Sequence, residues 1–380
     1  MAAPRNAPQI VEILRRNAAR EFAAARSLPP AIYHDADIFA MEVERIFYRD
    51  WICIGRLGEI PDAGDYVAVD IVGRPVFVVR QKDMSVKAFS NVCPHRGSRL
   101  VDDCGRARRF VCPYHSWTYD LDGRLTGAPF MHDTPGFSVD NVRLRELRCT
   151  QWQGFVYVSL DPDAEPFASH MAELDAQVGK YEFSDYVPVH TETEIWNANW
   201  KCLVENYMDV YHLHRVHADS FGKYGGFEQS TCFFPGNDYF CYHYVQEDGS
   251  EHSVAAHPDN ERLQGEDRHR TWLINLFPSH TVQLQPDLLW YLSILPLSAG
   301  SLRVRWSVSV PQDFLDDPDG GEQHVRENLE LLMQVNREDR LAVERVHGGT
   351  AEPSATPGPL SSLERNVWDF GRYLARRLCS

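Results

Sequence analysis

The sequence contains no apolar run that approaches the roughly 18 residues with which a helix crosses a bilayer. Its beginning also lacks the apolar core and the small-residue cleavage site of a secretory signal peptide. Segment 9–26 is rich in arginine like a transit peptide, but Glu12 and Glu21 are typical of a plain surface helix. These absences predict a protein without membrane spans, located in the cytoplasm.

Positive charge is scarce, because 38 Lys and Arg stand against 54 Asp and Glu, which gives a formal net charge of −16. No basic stripe is present that would attract the phosphates of a nucleic acid, so nucleic-acid binding is not expected. The glycine-rich fingerprint of dinucleotide-binding domains is absent as well. The nine cysteines lack the regular spacing of a disulfide framework, which favours a reducing compartment.

Two short motifs in the first third of the chain each combine one cysteine with one histidine. The C-x-H motif of Cys93 and His95 is followed, after 16 intervening residues, by the C-x-x-H motif of Cys112 and His115. Two thiolates and two imidazoles in this order are the ligand set of a Rieske [2Fe–2S] cluster. A structural zinc site is the alternative, although zinc fingers pair Cys with Cys and His with His.

The stretch 93–115, with the sequences CPHRG and CPYHSW, resembles the Rieske domain of ring-hydroxylating and related non-haem iron oxygenases. Respiratory Rieske proteins usually carry an additional cysteine pair that bridges the two cluster loops. Tyr114 stands where one member of that pair belongs, and Cys104 has no obvious partner. The resemblance is therefore to the oxygenase branch.

The pattern along the chain predicts an α+β protein of two domains. Short β-type runs separated by Gly, Pro and Asp turns form a small all-β Rieske domain, for which we predict the range 45–160. Segments 1–44 and 161–380 are expected to form the catalytic domain, with strands at 239–246, 271–277, 288–295 and 302–310 framed by helices. The family resemblance implies an antiparallel sheet of the helix-grip (START-like) type.

A second constellation consists of Asp209, His212 and His217. On a helix, the three-residue step places Asp209 and His212 on one face. The five-residue step rotates His217 about 140° away from His212 at about 100° per residue. The two histidines can therefore share a metal only if the helix unwinds or bulges, which we predict to happen after Leu213.

Asp339 is the candidate third ligand, because it stands in the middle of the apolar stripe of a predicted helix at 325–347. Burying a carboxylate on the inward face of a helix costs on the order of several kcal/mol of folding free energy unless the group is paired or binds a metal. Two histidines and one carboxylate form the facial triad of non-haem Fe(II) enzymes. A buried salt bridge or a helix-internal hydrogen bond is the alternative for Asp339. Glu338 and Glu344 have polar helical neighbours and are expected to be solvated.

Both blocks again resemble the Rieske oxygenase family. The segment ENYMDVYHLHRVH fits its E-N-x-x-[DE]-x-Y-H-x-x-x-x-H pattern, and EDRLAVE is similar to the late segment that carries the acidic ligand. The resemblance is to the oxygenase (alpha) component of ring-hydroxylating and quaternary-amine oxygenases. It implies that Asp209 hydrogen-bonds both an iron-bound histidine and a cluster histidine, His95 or His115, of a neighbouring subunit. Such an electron bridge implies a ring-shaped homotrimer.

A one-electron cluster and an iron with open positions imply a terminal oxygenase, which hydroxylates or oxidatively demethylates a small organic substrate with O₂. A separate NAD(P)H-dependent ferredoxin reductase or a ferredoxin must supply the electrons, because the chain has no nucleotide fingerprint. Quaternary amines and aromatic acids both remain open as substrates. An aromatic substrate implies a role in aromatic hydrocarbon catabolism. Aromatic side chains that suit either substrate are Phe221, Tyr224, Phe233, Phe234, Trp272, Trp290 and Tyr291. Most of these rings are expected to be ordinary core residues.

Two other functions also remain open at this stage. The first is a zinc-stabilised protein that binds a small molecule without redox activity. The second is a Rieske electron carrier without oxygenase activity. Iron and acid-labile sulfide distinguish the first from an oxygenase, and substrate-dependent O₂ consumption distinguishes the second.

Overall fold

The computed structural model describes residues 6–221, 226–246 and 254–379, and the chain divides into two compact units. The smaller unit is Phe47–Ala168, and the larger one combines Met1–Ile46 with Ser169–Ser380. The smaller unit begins two residues later and ends eight residues later than the range 45–160 predicted for the Rieske domain. Among the described residues, no helix has both the length and the apolar character needed to cross a membrane.

The smaller unit contains a seven-stranded antiparallel sheet, with the strand order β1-β10-β9-β4-β3-β2-β5, and a three-stranded sheet, with the order β6-β7-β8. Its core gathers large aromatic side chains such as Phe77, Phe89 and Tyr119 around the two cluster-motif cysteines. The strands are β1 Ile52–Arg56, β2 Asp65–Ile71, β3 Arg74–Arg80, β4 Val86–Ser90, β5 Cys104–Arg106, β6 Phe110–Val111, β7 Thr118–Tyr119, β8 Leu125–Gly127, β9 Glu146–Trp152 and β10 Phe155–Ser159.

The larger unit is built on a second seven-stranded antiparallel sheet, with the order β11-β17-β16-β15-β14-β13-β12. All four strands predicted in this region are present, with shifts of at most three residues at their ends. The strands are β11 Val187–Trp196, β12 Thr231–Phe233, β13 Phe240–Gln246, β14 Arg270–Leu276, β15 His280–Leu284, β16 Leu289–Ser298 and β17 Ser301–Val310.

Helices pack on this sheet: α4 contacts β14 and β16, α8 contacts β11, and α9 contacts β13. The described α-helices are α1 Ala7–Ala18, α2 Ala36–Glu42, α3 Ala172–Val178, α4 Trp200–Met208, α5 Leu213–Val216, α6 Phe227–Ser230, α7 Gln312–Asp316, α8 Gly321–Thr350 and α9 Arg365–Leu378. The helix predicted at 325–347 is the central part of α8, which buries Leu332, Val335 and Val343. The sheet therefore supports α4, which ends shortly before His212, and α8, which carries Asp339.

Candidate metal centres

Helix α4 stops before the predicted ligands. Its N-terminus is capped by Asn199, and the helix ends at Met208, because Asp209 has extended backbone angles of φ −88° and ψ 109°. The carboxylate of Asp209 accepts a hydrogen bond from the backbone N–H of Tyr211 at 2.7 Å, a local turn that competes with helix formation. The interruption thus precedes His212. The predictions that it follows Leu213 and that Asp209 and His212 share a helical face are wrong.

Beyond this interruption, the structure brings His212, His217 and Asp339 together. The Nε2 atoms of the two histidines lie 3.2 Å apart. One carboxylate oxygen of Asp339 lies 3.5 Å from Nε2 of His212 and 3.2 Å from Nε2 of His217. All three side chains are largely buried, and they form a group whose geometry can hold a metal ion.

Hydrogen bonds at the Nδ1 atoms of His212 and His217 determine the tautomer in which each imidazole faces the other. Nδ1 of His212 donates to the backbone carbonyl of Asp209 at 2.6 Å, and Nδ1 of His217 donates to the carboxylate of Glu338 at 2.8 Å. Since each Nδ1 then carries a proton, Nε2 is the nitrogen that presents a lone pair in the neutral form of each ring. Two nitrogen lone pairs and the Asp339 carboxylate therefore converge on one point, an arrangement that a bound cation satisfies.

The charges around this point stabilise one another. Burial opposes ionisation of Asp339, but His212 and His217 hold the pKa of this carboxyl well below its usual range. Burial also disfavours a charged His212, yet Asp209 and Asp339 raise the pKa of this imidazole to about 10, so a metal ion that binds its Nε2 displaces a proton from it. In addition, the side-chain amide of Asn206 donates to Asp339 at 2.7 Å. Asp339 is therefore a fixed anion, as a metal ligand must be.

Glu338 is not the solvated charge that the sequence pattern predicts. Its carboxylate also accepts hydrogen bonds from the hydroxyl of Ser220 and the amide of Gln334, both at 2.8 Å. These donors and His217 outweigh burial and lower the pKa of Glu338. Helical periodicity hides this role, because His217 and Ser220 approach from a distant segment. The only signal in the sequence is that Glu338 directly precedes a candidate ligand. Glu344, in contrast, pairs with Arg340 on the same helix.

In the smaller unit, the two cysteine–histidine loops have the same backbone hydrogen bonds. Each cysteine N–H donates to the carbonyl five residues later, and the residue four positions later donates back to the cysteine carbonyl. That fourth residue has a positive φ in both loops, +77° at Gly97 and +59° at Ser116. The two loops thus present Cys93 and Cys112 in equivalent ways.

The four predicted cluster ligands come together at the ends of these loops. The imidazole rings of His95 and His115 lie 4.6 Å apart between centroids, and His95 stacks on Trp117 at 4.5 Å. Within the described part of the chain, the buried Nδ1 atoms of both rings have no hydrogen-bond partner. On the cysteine side, burial opposes ionisation of Cys112, but the backbone N–H groups of Tyr114 and His115 lower the pKa of this thiol.

Two nitrogen atoms without partners and two adjacent cysteine sulfurs are the donor set that a [2Fe–2S] cluster of the Rieske type requires. The hydroxyl of Tyr119 lies 3.2 Å from the sulfur of Cys93 and is positioned to donate to a thiolate there. All nine cysteines of the chain lie in the described part and are free thiols. The residues present therefore fit the predicted cluster.

The aromatic residues predicted to line a substrate pocket are only partly gathered at the metal centre. The ring centroid of Phe221 lies 4.5 Å from that of His217. The ring centroid of Trp290 lies 5.8 Å from that of Tyr207 on α4. Trp272 and Tyr291 are buried in the sheet. Phe233 and Phe234 are half-buried on and beside β12. Tyr224 lies outside the described residues.

Comparison with known families gives two matches that together include both candidate centres. Residues 181–380 match the model of the ring hydroxylating alpha subunit (catalytic domain). Residues 50–142 match the model of the Rieske [2Fe–2S] domain. The two predicted cofactors, a Rieske cluster and a mononuclear iron, are confirmed by these matches, which favour the cluster over the zinc alternative.

Two relatives match about half of the chain. The carnitine monooxygenase oxygenase subunit of Escherichia coli (strain K12) is 35% identical over 196 residues, which are 51% of this chain and 52% of the relative. The glycine betaine monooxygenase oxygenase subunit of Chromohalobacter salexigens is 39% identical over 197 residues, which are 51% of this chain and 43% of the relative. In these matches the chain spans about half the length of each relative.

Solved structures show the same fold over almost the whole chain. The apo form of the quaternary ammonium Rieske monooxygenase CntA superimposes with a TM-score of 0.79 at 21% identity, covering 96% of this chain and 98% of that one. Naphthalene 1,2-dioxygenase from Rhodococcus sp. gives a TM-score of 0.81 at 19% identity, covering 97% of both chains. The predicted α+β fold class, with an all-β Rieske domain and an antiparallel-sheet catalytic domain, is confirmed.

Proposed function

Because the chain belongs to the ring hydroxylating alpha subunit family and carries a Rieske domain, we propose that it is the terminal oxygenase component of a multi-protein system. It uses electrons from a separate reductase, together with O₂, to hydroxylate or oxidatively demethylate a small organic substrate. The observation that carries this proposal is the convergence of His212, His217 and Asp339 on one point in a chain that also carries the cluster motif.

In this proposal, Cys93, His95, Cys112 and His115 hold the [2Fe–2S] cluster, and His212, His217 and Asp339 hold Fe(II). When bound, the cluster supplies electrons one at a time and the ferrous iron supplies the capacity to activate O₂. Three protein ligands leave coordination positions free for O₂, water and substrate.

The surrounding side chains set the geometry of the proposed iron ligands. The carbonyl of Asp209 and the carboxylate of Glu338 hold the two imidazoles in the tautomer that ligation requires. Asn206 restrains the carboxylate of Asp339. Partners of this kind typically contribute about 10–100-fold to metal affinity or activity.

The carboxylate of Asp209 has a second role in the proposal, as the bridge over which electrons pass between subunits of a homotrimer. One of its oxygens lies 3.6 Å from Nδ1 of His212, and its side chain is about one-fifth exposed, so it is within reach of a partner. The cluster histidine of a neighbouring subunit, His95 or His115, is that partner.

For the substrate, we propose a quaternary amine, since the relatives at 35% and 39% identity are named for carnitine and glycine betaine. The metal point is the place where His212, His217 and Asp339 converge. Aromatic rings beside it, such as Phe221, suit a methylammonium group by cation–π attraction. An aromatic substrate is the second candidate, because biphenyl dioxygenase subunit alpha of Metapseudomonas furukawaii is 32% identical over 201 residues. The electron source is an NAD(P)H-dependent reductase or a ferredoxin, and the place of action is the cytoplasm.

The test is a substrate screen with the purified protein, NADH and a surrogate reductase. We expect iron and acid-labile sulfide in the protein, and O₂ consumption that depends on carnitine or glycine betaine but not on aromatic acids. Product formation is scored together with O₂ consumption, so that futile O₂ reduction is recognised. A colourless protein with one zinc per chain, or an iron protein without substrate-dependent O₂ consumption, contradicts the proposal.

A further inference from the structure

Glu205 is a half-buried acid of the larger unit that none of the roles described above uses. It lies on α4, four residues before Asp209. The hydroxyl of Tyr33 donates a hydrogen bond of 2.6 Å to one of its carboxylate oxygens. Tyr33 itself is buried, at the end of the short helix Pro30–Tyr33. The carboxylate of Glu205 is thus held in a fixed orientation inside the unit.

A narrow cavity lies beside this carboxylate. Its volume of about 10 Å³ is the space of roughly one water molecule. Besides Glu205, it is lined by polar groups of Asn17 and Ser27 and by the exposed Arg26. Most of the remaining lining is apolar, but a water molecule in this cavity has polar partners in Glu205, Asn17 and Ser27, and the exposed Arg26 places the cavity next to solvent.

The charged groups around Glu205 leave its proton weakly held at neutral pH. Burial is the largest influence and raises the pKa of Glu205 to about 7. The hydroxyl of Tyr33 and the ammonium of Lys201 oppose this shift, whereas the negative charges of Glu364 and Asp209 add to it. A group with a pKa close to the working pH both takes up and releases protons efficiently.

The proposed reaction requires protons from outside the substrate. Insertion of one oxygen atom of O₂ into a C–H bond, with water as the second product, consumes two electrons and two protons. Dihydroxylation of an aromatic ring consumes the same number of each. The reductase supplies the electrons, so the protons come from solvent to the largely buried His212–Asp339 region.

We propose that Glu205 relays these protons: it takes one from water in the cavity, passes it on toward Asp209 and the metal point, and is reprotonated from the cavity. Tyr33 orients the carboxyl group, and Glu205 is unchanged after each cycle. The inference rests on the proposed oxygenase function, because only a reaction that reduces O₂ at this point consumes the protons.

The test compares Glu205→Gln with Glu21→Gln, an exposed glutamate of the same unit. Glutamine keeps the size of Glu205 and an oxygen that accepts the Tyr33 hydrogen bond, but it carries no exchangeable acid proton. In the iron-free protein, infrared difference spectra recorded as a function of pH should show a carboxylic acid band that disappears around pH 7. This band should be absent from E205Q and present in E21Q. In Tyr33→Phe, its midpoint should rise, because a hydrogen bond that favours the anion is lost.

In the iron-loaded enzyme, turnover of E205Q should fall by about 100-fold, within the range of general acid–base catalysis, with unchanged iron and sulfide contents. The wild-type rate should decline as the pH rises above about 7, since Glu205 is then deprotonated, and E205Q should lose this ionisation from its pH profile. The relay is overturned if E205Q has the turnover and pH profile of the wild type, or if the titrating infrared band persists in E205Q. Either result leaves the proposed oxygenase function intact. A protein in which the band titrates but no substrate elicits O₂ consumption overturns the proposed oxygenase function, and the relay with it.

Discussion

At the scale of single residues, the metal point depends on which atom of each imidazole carries a proton. A backbone carbonyl determines this for His212, and a carboxylate determines it for His217. The two supports differ in one important respect: a carbonyl is present whatever the side chain, whereas a carboxylate is lost on substitution. Variants at positions 209 and 338 should therefore have different effects.

For Asp209→Ala, we expect both iron centres to be retained and turnover to become very slow. The variant keeps the carbonyl that holds His212 but loses the carboxylate proposed to bridge electrons between subunits. Iron and sulfide analysis and the spectrum of the cluster measure the first effect, and substrate-dependent O₂ consumption measures the second. Normal turnover in this variant refutes the bridge.

Glu338→Gln should weaken binding of the mononuclear iron by about 10–100-fold, since it weakens the charge-assisted hydrogen bond to His217. The matched control is Glu344→Gln on the same helix, because Glu344 bonds to Arg340 and to the backbone N–H of Asn197 and touches no proposed ligand. Iron retained after dialysis against a graded chelator measures the affinity. Equal losses in both variants contradict a positioning role for Glu338.

At the scale of elements, the site depends on where α4 begins and ends. Its first turn is fixed by Lys201, whose ammonium lies 2.6 Å from the carboxylate of Glu42 at the end of α2. Both side chains are fully buried, and the indole of Trp200 donates to the second oxygen of Glu42 at 2.8 Å. This pair secures the helix whose far end leads to Asp209.

Lys201→Met should lower the free energy of unfolding by about 3–5 kcal/mol, because it leaves the buried charge of Glu42 without an opposite charge beside it. Lys180→Met, which breaks the partly exposed pair with Asp267, should cost only about 0–1 kcal/mol. Urea denaturation of the metal-loaded proteins measures both. The double variant Glu42→Leu with Lys201→Met should regain most of the stability, and a double variant no more stable than K201M argues against this account.

Elements also show what the sequence determines by itself. The proposed ligands could be identified because the close spacing of His212 and His217 and the position of Asp339 on an apolar stripe are local properties. The interruption of α4 was predicted too late, because the turn at Asp209 depends on one side-chain hydrogen bond. Helix α1 was predicted to reach residue 26 but ends at Ala18, and Arg26 instead forms a β-bridge with Pro359. Tertiary contacts override helix propensity at such positions.

At the scale of the whole molecule, each of the two compact units contains one candidate centre and its own buried core. The charge is divided unequally between them. Residues 47–168 carry 15 Lys and Arg against 16 Asp and Glu, whereas the remainder carries 23 against 38. The unit with the cluster ligands is thus almost neutral, so an electron donor that approaches it meets little long-range repulsion from that unit.

Cys112→Ser should remove the cluster and leave the mononuclear iron in place. The proposed cluster ligands all lie in the smaller unit, and the proposed iron ligands all lie in the larger one. We expect loss of acid-labile sulfide and of the visible absorption of the cluster, with about one iron per chain retained. A variant that loses both kinds of iron contradicts the independence of the two centres.

The matching turns of the two cysteine loops also determine which substitutions each loop tolerates. Gly97 and Ser116 are related by a local pseudo-repeat, and in both the handedness of the backbone, more than side-chain chemistry, decides what fits. Serine already adopts this left-handed conformation in one loop, at a steric cost that glycine avoids. Asparagine, which tolerates that conformation better than most residues, is therefore the natural replacement to try in both loops, and a β-branched residue is the one to avoid.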